Sequence, residues 1–200
     1  MLEEFHYEND LSGGSLMVRE SRVIADLLIR EATIEQWNQA ISIDNLLQAN
    51  TIATAQRHTR TLRKRLGCLS SDFWLMLRDG DNELATQVAF CAALESNLLL
   101  VEFMETVVRD AFVTKVERLD NYNWPDFLEE RAQRDPKILE WKESTKQKIK
   151  TVVYRMLAEV GYLKSTRKLE LQRVLVRAEL GALLEKYDKS RLKNCMEVSR

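Results

Sequence analysis

The stretch WKESTKQKIKTVVYRMLAEVGYL, from Trp141 to Leu163, predicts an amphipathic helix. Ser144 or Thr145 is expected to cap its start, and Gly161 supplies the left-handed residue that commonly ends a helix. The apolar residues recur every three or four positions and therefore share one side of the helix: Ile149, Val152, Val153, Met156, Leu157 and Val160.

The opposite side of this predicted helix is polar and basic. It carries an amide, two hydroxyls and a guanidinium, with two lysines on its flanks: Gln147, Thr151, Tyr154, Arg155, Lys148 and Lys150. A helix with one apolar face and one such polar face suits packing on a small domain while it reaches a phosphate backbone. The plain alternative is a surface helix with solvated lysines.

A second stretch, TIATAQRHTRTLRKRLGCL from Thr51 to Leu69, has the same character. Its residues at steps of three and four predict an inward seam: Ile52, Ala55, Thr59, Leu62, Leu66 and Leu69. At 100° per residue, the side opposite the seam holds Arg57, Arg60, Thr61 and Lys64, and Arg63 and Arg65 lie at the edges of the seam. The segment from Thr51 to Leu66 contains five Lys or Arg residues and no acid. We expect a second helix with a basic outer face.

The composition favours an all-α protein. Two prolines and six glycines in 200 residues argue against a turn-rich β fold, and abundant Leu, Ala, Glu, Arg and Lys favour helices. The net charge of −1 conceals segregation, because residues 67–141 hold fifteen acidic against seven basic residues. Segregated charge of this kind steers polyanions toward the basic segments.

The predicted organisation has three regions. Residues 1–80 form an N-terminal helical region, residues 81–119 a central helical spine with a break allowed near Ser96-Asn97, and residues 120–200 a C-terminal helical region. Two helix-turn-helix candidates follow, from Thr33 to Leu66 and from Trp124 to Val160. Other local expectations are an extended or frayed segment at 1–12, a loop or small wing at 164–168, and a helix over 169–187.

The sequence predicts a cytoplasmic location. Cys68, Cys91 and Cys195 are odd in number and widely spaced, so disulfides are not expected. The acidic start has no apolar core of the kind found in secretory signals. The most apolar stretch, 84–104, is interrupted by Glu95 and Glu102, which makes it a buried helix rather than a membrane span.

Catalytic signatures are lacking in the sequence. It has two histidines, neither with a partner at metal or general-base spacing, and His58 is better explained as a phosphate contact or a half-buried residue. Nucleotide-loop, nucleophile-elbow and zinc-protease patterns are missing as well. We therefore expect no enzyme activity, no metal or other cofactor, and no small-molecule substrate.

Three segments together resemble a known family. GGSLMVRESRVIADLL, DNLLQANTIATAQRHTRTLRKRL and WKESTKQKIKTVVYRMLAEVGYL, in this order and spacing, are similar to the BrxA family. BrxA proteins are small helical components of bacteriophage-exclusion (BREX) defence systems. The resemblance covers roughly residues 12–165 and implies an all-α protein with two helix-turn-helix motifs, flanked by positive patches, that binds double-stranded DNA without a catalytic role.

The predicted function is therefore phosphate-dominated binding of duplex DNA with modest sequence preference, in phage resistance alongside other BREX proteins. One predicted surface consists of Arg57, Arg60 and Lys64. The other consists of Ser144, Lys146, Gln147, Lys148, Lys150 and Arg155, with Gln147 and Thr151 nearest the base edges. Two alternatives remain: a scaffold subunit whose basic faces meet acidic proteins, and RNA binding, since the family is also compared with helical antitermination factors.

Overall fold

The computed structural model describes residues 6–199, and within this range all regular secondary structure is helical. The all-α prediction is confirmed. The α-helices are α1 (Val18–Ile29), α2 (Ile34–Asn38), α3 (Ile52–Gly67), α4 (Ser71–Asp79), α5 (Asn82–Ser96), α6 (Leu98–Phe103), α7 (Arg109–Val113), α8 (Asn123–Ala132), α9 (Glu143–Val160), α10 (Ala178–Lys186) and α11 (Ser190–Met196). Short 3₁₀ or π segments occupy Asp10–Gly13, Gln39–Ile43, Met104–Val108 and Pro136–Glu140.

The chain divides into two compact units. The N-unit contains residues 13–96 and 176–193, and the C-unit contains residues 6–12, 97–175 and 194–199 of the described chain. The main boundary coincides with the break that the sequence allowed in its central helical run. There Asn97 has extended backbone, and its side-chain oxygen accepts a hydrogen bond from the Leu100 amide at 3.1 Å, which begins a new helix.

The N-unit is built around α5. Ten of its residues between Leu84 and Leu94 are buried, on all sides of the helix. A helix that is apolar all round must be covered by neighbours, and α1, α3, α4 and α10 pack against α5. Phe73, Leu77 and Phe90 are fully buried there. This packing leaves α3 with one side on the core and the other toward solvent.

The C-unit is held together by an aromatic cluster. The Phe103 ring lies 5.1 Å from the Trp124 ring and 5.2 Å from the Phe127 ring, between centroids. The Tyr154 ring on α9 completes the cluster at 6.1 Å from Phe103. Each such pair contributes about 0.5–1.5 kcal/mol beyond its buried area. The cluster therefore fixes α9 against the helices that precede it.

Among residues 6–199, no single helix is long and apolar enough to cross a membrane. A bent pair, Asn82–Ser96 followed by Leu98–Val113, meets the length and composition criteria only when both helices are taken together. Most of α5 and α6 is buried within the protein.

The start of the described chain corrects one expectation. Residues 1–5 lie outside the described range, but residues 6–12 are anchored rather than frayed. Tyr7 is buried; its hydroxyl donates to a Glu102 carboxylate oxygen at 2.7 Å, and its amide donates to Asp135 at 2.7 Å. The sequence pattern did not show this anchoring because both acceptors lie about a hundred residues away.

The predicted helix over 169–187 is also corrected. Regular helix begins only at Ala178, and residues 170 and 171 lie in β-bridges to two other segments. Leu169 and Leu171 take part in backbone hydrogen bonds to residues 117–119 and do not form one face of a helix. One exposed side chain is a further correction, because Ile52, expected to face inward, is 57% exposed.

Glu102 is a buried carboxylate that several partners neutralise. Besides accepting from Tyr7, it accepts from Arg131 at 2.8 Å and from Arg134 at 2.9 Å. We expect Glu102→Gln to lower the free energy of unfolding by about 2–4 kcal/mol, since it leaves two guanidinium groups without their shared anion.

Urea unfolding followed by circular dichroism measures this change. The matched control is Glu129→Gln, which removes an exposed carboxylate of the same unit and is expected to change stability by less than about 0.5 kcal/mol. Equal unfolding midpoints for the two variants would contradict the assigned role of Glu102.

Arg65 is a structural residue within the basic stretch. It is 4% exposed, and its guanidinium donates to the carbonyl oxygens of Ser15 at 2.6 Å and Gly14 at 2.8 Å. The sequence pattern placed Arg65 at the edge of the inward seam, and the structure buries it there. The long side chain turns inward because the loop before α1 presents carbonyl groups that need donors.

We expect Arg65→Met to lower the free energy of unfolding by about 2–4 kcal/mol, because buried carbonyl groups lose charged donors. Arg63→Met is the matched control on the same helix. The Arg63 guanidinium lies 4.6 Å from the ring centre of Trp37, a contact that contributes about 0.5–1 kcal/mol. Thermal or urea unfolding of the two variants measures the difference, and a larger loss for Arg63→Met would refute this assignment.

Candidate nucleic-acid interface

Helix α3 forms as the sequence pattern predicts. Thr51 has extended backbone, and its hydroxyl accepts from the Thr54 amide at 3.1 Å, so the first turn is capped. Ala55, Leu62 and Leu66 are buried and form the inward seam. The preceding segment begins with a capping box in which Thr33 and Gln36 exchange hydrogen bonds, as expected for a helix start there.

The outer face of α3 carries three exposed cations. Arg57, Arg60 and Lys64 are spaced by three and four residues, so they project from one side of the helix, opposite the buried seam. Thr61, predicted on this face, is half-buried; a Cβ added to Gly13 would come within 2.4 Å of its hydroxyl oxygen. The structure thus places the three predicted cations together and removes Thr61 from their surface.

His58 contributes little positive charge beside these cations. It is half-buried, and burial together with the nearby Arg57 lowers its pKa, while Glu20 acts in the opposite direction. A lowered pKa makes the imidazole neutral at neutral pH. We therefore assign the positive potential of this face to the arginines and the lysine alone.

Helix α9 starts two or three residues earlier than predicted. Its N-cap is Lys142, which makes no side-chain capping bond, so the expected cap at Ser144 or Thr145 is wrong. The carbonyl of Lys142 accepts from the amides of Thr145 and Lys146 at 2.8 and 3.1 Å. The predicted end is confirmed, since Gly161 has φ of 103°, a left-handed conformation that suits glycine.

The exposed stripe of α9 is polar along most of its length. It consists of Ser144, Gln147, Lys148, Thr151 and Arg155. Gln147 donates from its amide to Glu143 at 2.9 Å, and the Thr151 hydroxyl donates to the Gln147 carbonyl at 2.9 Å. Both side chains keep acceptor oxygens toward solvent. Lys148 and Arg155 supply the positive charge of the stripe.

The other two predicted lysines of α9 lie at its flanks. Lys150 is half-buried; its ammonium donates to the Asn121 carbonyl at 3.1 Å and lies 5.7 Å from the Tyr154 ring centre. Lys146 is half-buried beside a groove that Trp124 and Leu139 also line. These contacts hold the two stems against the C-unit, so Lys148 and Arg155 reach outward more freely.

Tyr154 corrects the predicted outer face. Its ring is buried in the aromatic cluster, and its hydroxyl donates to the Asp120 carbonyl at 3.4 Å. Burial, and secondarily the Asp120 charge, raises the pKa of Tyr154 to about 12. The phenol packs inward because its ring is apolar while its hydroxyl finds a backbone acceptor.

A feature that the sequence pattern only partly showed follows α9. Residues 162–164 and 169–172 pair antiparallel, with backbone hydrogen bonds of 2.9 Å from Gln172 to Tyr162 and from Lys164 to Glu170. The second of these segments also pairs with residues 117–119, through bonds of 2.9 and 3.0 Å. We name residues 162–172 the hairpin. Its tip is formed by residues 164–168, where a loop or small wing was expected.

The thiols and acids give little indication of other chemistry. Cys68 is exposed, whereas Cys91 and Cys195 are buried, and burial raises the pKa of Cys91 to about 12. In the described part of the chain, no group of three or more His, Cys, Asp or Glu residues is arranged to hold a metal ion.

Comparison with known proteins agrees with the resemblance noted in the sequence. A family model described as BrxA matches residues 5–188. The chain is 36% identical to the BREX protein BrxA of Paramagnetospirillum magneticum over 99% of this chain and 100% of that protein. It is 31% identical to the BREX protein BrxA of Escherichia coli O9:H4, over 96% of this chain and 90% of that protein.

A solved structure is similar throughout. The crystal structure of an uncharacterized protein from Magnetospirillum magneticum superposes with a TM-score of 0.88 and 36% identity, covering 96% of this chain and 99% of that one. The family model and two relatives above 30% identity each cover nearly the whole chain. The chain therefore belongs to the BrxA family of BREX proteins.

Proposed function

We propose that this BREX protein is a non-catalytic, cytoplasmic component that binds double-stranded DNA through two basic helix faces, on α3 and α9. The observation that carries the proposal is the outward projection of Arg57, Arg60 and Lys64 from a helix that contains no acidic residue. Cations concentrated in this way neutralise phosphates and release counterions, which drives association with duplex DNA.

The order of elements in the C-unit supports the same proposal. Helices α6 and α7 are followed by the segment 117–119, then α8, α9 and the hairpin. A winged helix-turn-helix has this order: a helix, a strand segment, two helices and a hairpin. In it, as here, the first strand segment pairs with the last. In this order α9 takes the place of the recognition helix, which enters the major groove.

The residues of α9 favour phosphate contacts over base recognition. Recognition helices contact bases mainly through their N-terminal residues, which here include Ser144, Gln147 and Lys148. Gln147 is the side chain suited to pair with adenine, but its amide is already bonded to Glu143. Because base contact requires that bond to be exchanged, we expect modest sequence preference.

The α3 surface is tested with Arg57→Ala/Arg60→Ala. Each lost phosphate contact reduces the slope of log affinity against log salt by about 0.9, so the double variant should lose up to about 1.8 of the slope. Fluorescence anisotropy with a mixed-sequence duplex, between about 50 and 200 mM salt, measures this.

The matched control for that variant is Arg30→Ala/Lys186→Ala. It removes the same charge from the same unit, but both residues are held in ion pairs, with Asp26 and Asp72. An equal loss of affinity and slope in both double variants would show that net charge, rather than the α3 face, governs binding.

The α9 surface is tested by comparing neighbouring lysines. Lys148→Ala removes an exposed ammonium and should lower the salt slope by about 1, whereas Lys150→Ala removes one that is already bonded to Asn121. We expect the Lys150 variant to bind nearly as wild type in the same anisotropy titrations. The reverse ranking of the two variants would exclude the assigned orientation of α9 on DNA.

The scaffold alternative also has a structural basis. Asp120, Asp126, Glu129, Glu130 and Glu140 are exposed on the C-unit and would suit docking to a basic protein surface. Absence of duplex binding by the wild type even at about 50 mM salt would refute the DNA proposal and favour the scaffold. Tighter binding to structured or single-stranded RNA than to duplex DNA would instead favour the RNA alternative.

A further inference from the structure

The tip of the hairpin is a cationic turn that backbone pairing supports. Its five residues, Lys164 to Lys168, include three cations, and all three are exposed. The turn is ordered by hydrogen bonds, because Ser165 accepts from the Lys168 amide at 3.2 Å and from the Leu169 amide at 3.1 Å. Below the tip, the second segment of the hairpin pairs with two neighbours, through Glu170 with Arg118 and through Leu171 with Leu163. A turn held in this way fixes where its side chains leave the backbone.

The three tip cations are not equivalent. Glu170 lies 3.2 Å from the Lys164 ammonium and 3.8 Å from the Lys168 ammonium, so one carboxylate is shared by two lysines. Arg167 makes no hydrogen bond or ion pair with any residue in the described range. Its guanidinium is therefore the tip group that is available to an external anion.

The length of α9 determines where the tip can reach. Eighteen residues at 1.5 Å each give a helix of about 27 Å, whereas the major groove is about 12 Å wide. When the N-terminal turns of α9 contact bases, its C-terminal end must extend past the groove toward the flanking backbone. The hairpin begins directly after Gly161 at that end.

We propose that the hairpin tip is a further DNA contact, in which Arg167 enters the minor groove next to the major groove that α9 occupies. This inference rests on the proposed function. A narrow minor groove concentrates negative potential and attracts a guanidinium, and a hairpin tip is slim enough to enter it. Lys164 and Lys168 lie beside the entering side chain and contact the phosphates at the groove edge.

Dimethyl sulfate probing of a bound duplex tests this placement directly. The reagent methylates adenine N3 in the minor groove and guanine N7 in the major groove, so it reports both contacts in one experiment. With wild-type protein, we expect protection of adenine N3 beside the protected guanine N7 positions. With Arg167→Ala, the adenine protection should be lost while the guanine protection remains at saturating protein.

Affinity provides a second readout. We expect Arg167→Ala to weaken duplex binding by at least about fivefold and to remove any preference for an A·T-rich flank. Arg173→Ala is the matched control, because it removes an exposed cation at the base of the hairpin rather than at its tip. Thermal unfolding should be the same for both variants, since neither side chain is buried.

These experiments distinguish failure of the hairpin contact from failure of the proposed DNA-binding function. If wild type binds duplex DNA and Lys148→Ala weakens it, but Arg167→Ala changes neither affinity nor adenine protection, the hairpin contact is wrong and the proposed function stands. If wild type shows no duplex binding, both are refuted. If Arg173→Ala weakens binding as much as Arg167→Ala, general charge explains the effect and the minor-groove contact is overturned.

Discussion

The packing of Phe103 is the interaction on which the C-unit depends. Its ring contacts Trp124 and Phe127 of α8 and faces Tyr154 of α9, so one side chain determines how both helices lie. With Tyr154 held in this cluster and Val153 and Met156 also buried, Thr151 and Arg155 are left on the exposed side of α9. The polar stripe of α9 is thus a consequence of aromatic packing as much as of its own composition.

Periodicity predicted the helices well and individual side chains less well. The seams containing Leu62 and Leu66 on α3, and Ile149 and Val153 on α9, are buried as expected because apolar burial follows the helical repeat. The pattern did not show the partners of Arg65, whose guanidinium donates to carbonyl groups of a distant loop. The location of such acceptors is a property of the tertiary structure, which a one-dimensional pattern does not contain.

The hairpin shows the same limit at the level of secondary structure. The leucine-rich run after 168 suits a helix by composition, but its alternation of buried Val174, exposed Leu175 and buried Val176 is that of extended chain. Pairing with residues 117–119, some fifty positions earlier, favours extended chain over helix. Long-range pairing of this kind is the main reason that the wing was expected only as an alternative to a loop.

Charge pairing explains how a protein with net charge −1 presents basic faces. Many acids are used internally: Glu102 neutralises Arg131 and Arg134, and Glu170 lies between two lysines. Exposed cations remain on α3, on α9 and at the hairpin tip. In the proposed function, α3 in the N-unit and α9 in the C-unit would each contact DNA separately. If both bind one duplex, the second contact becomes intramolecular, so two weak phosphate surfaces combine into a much tighter one.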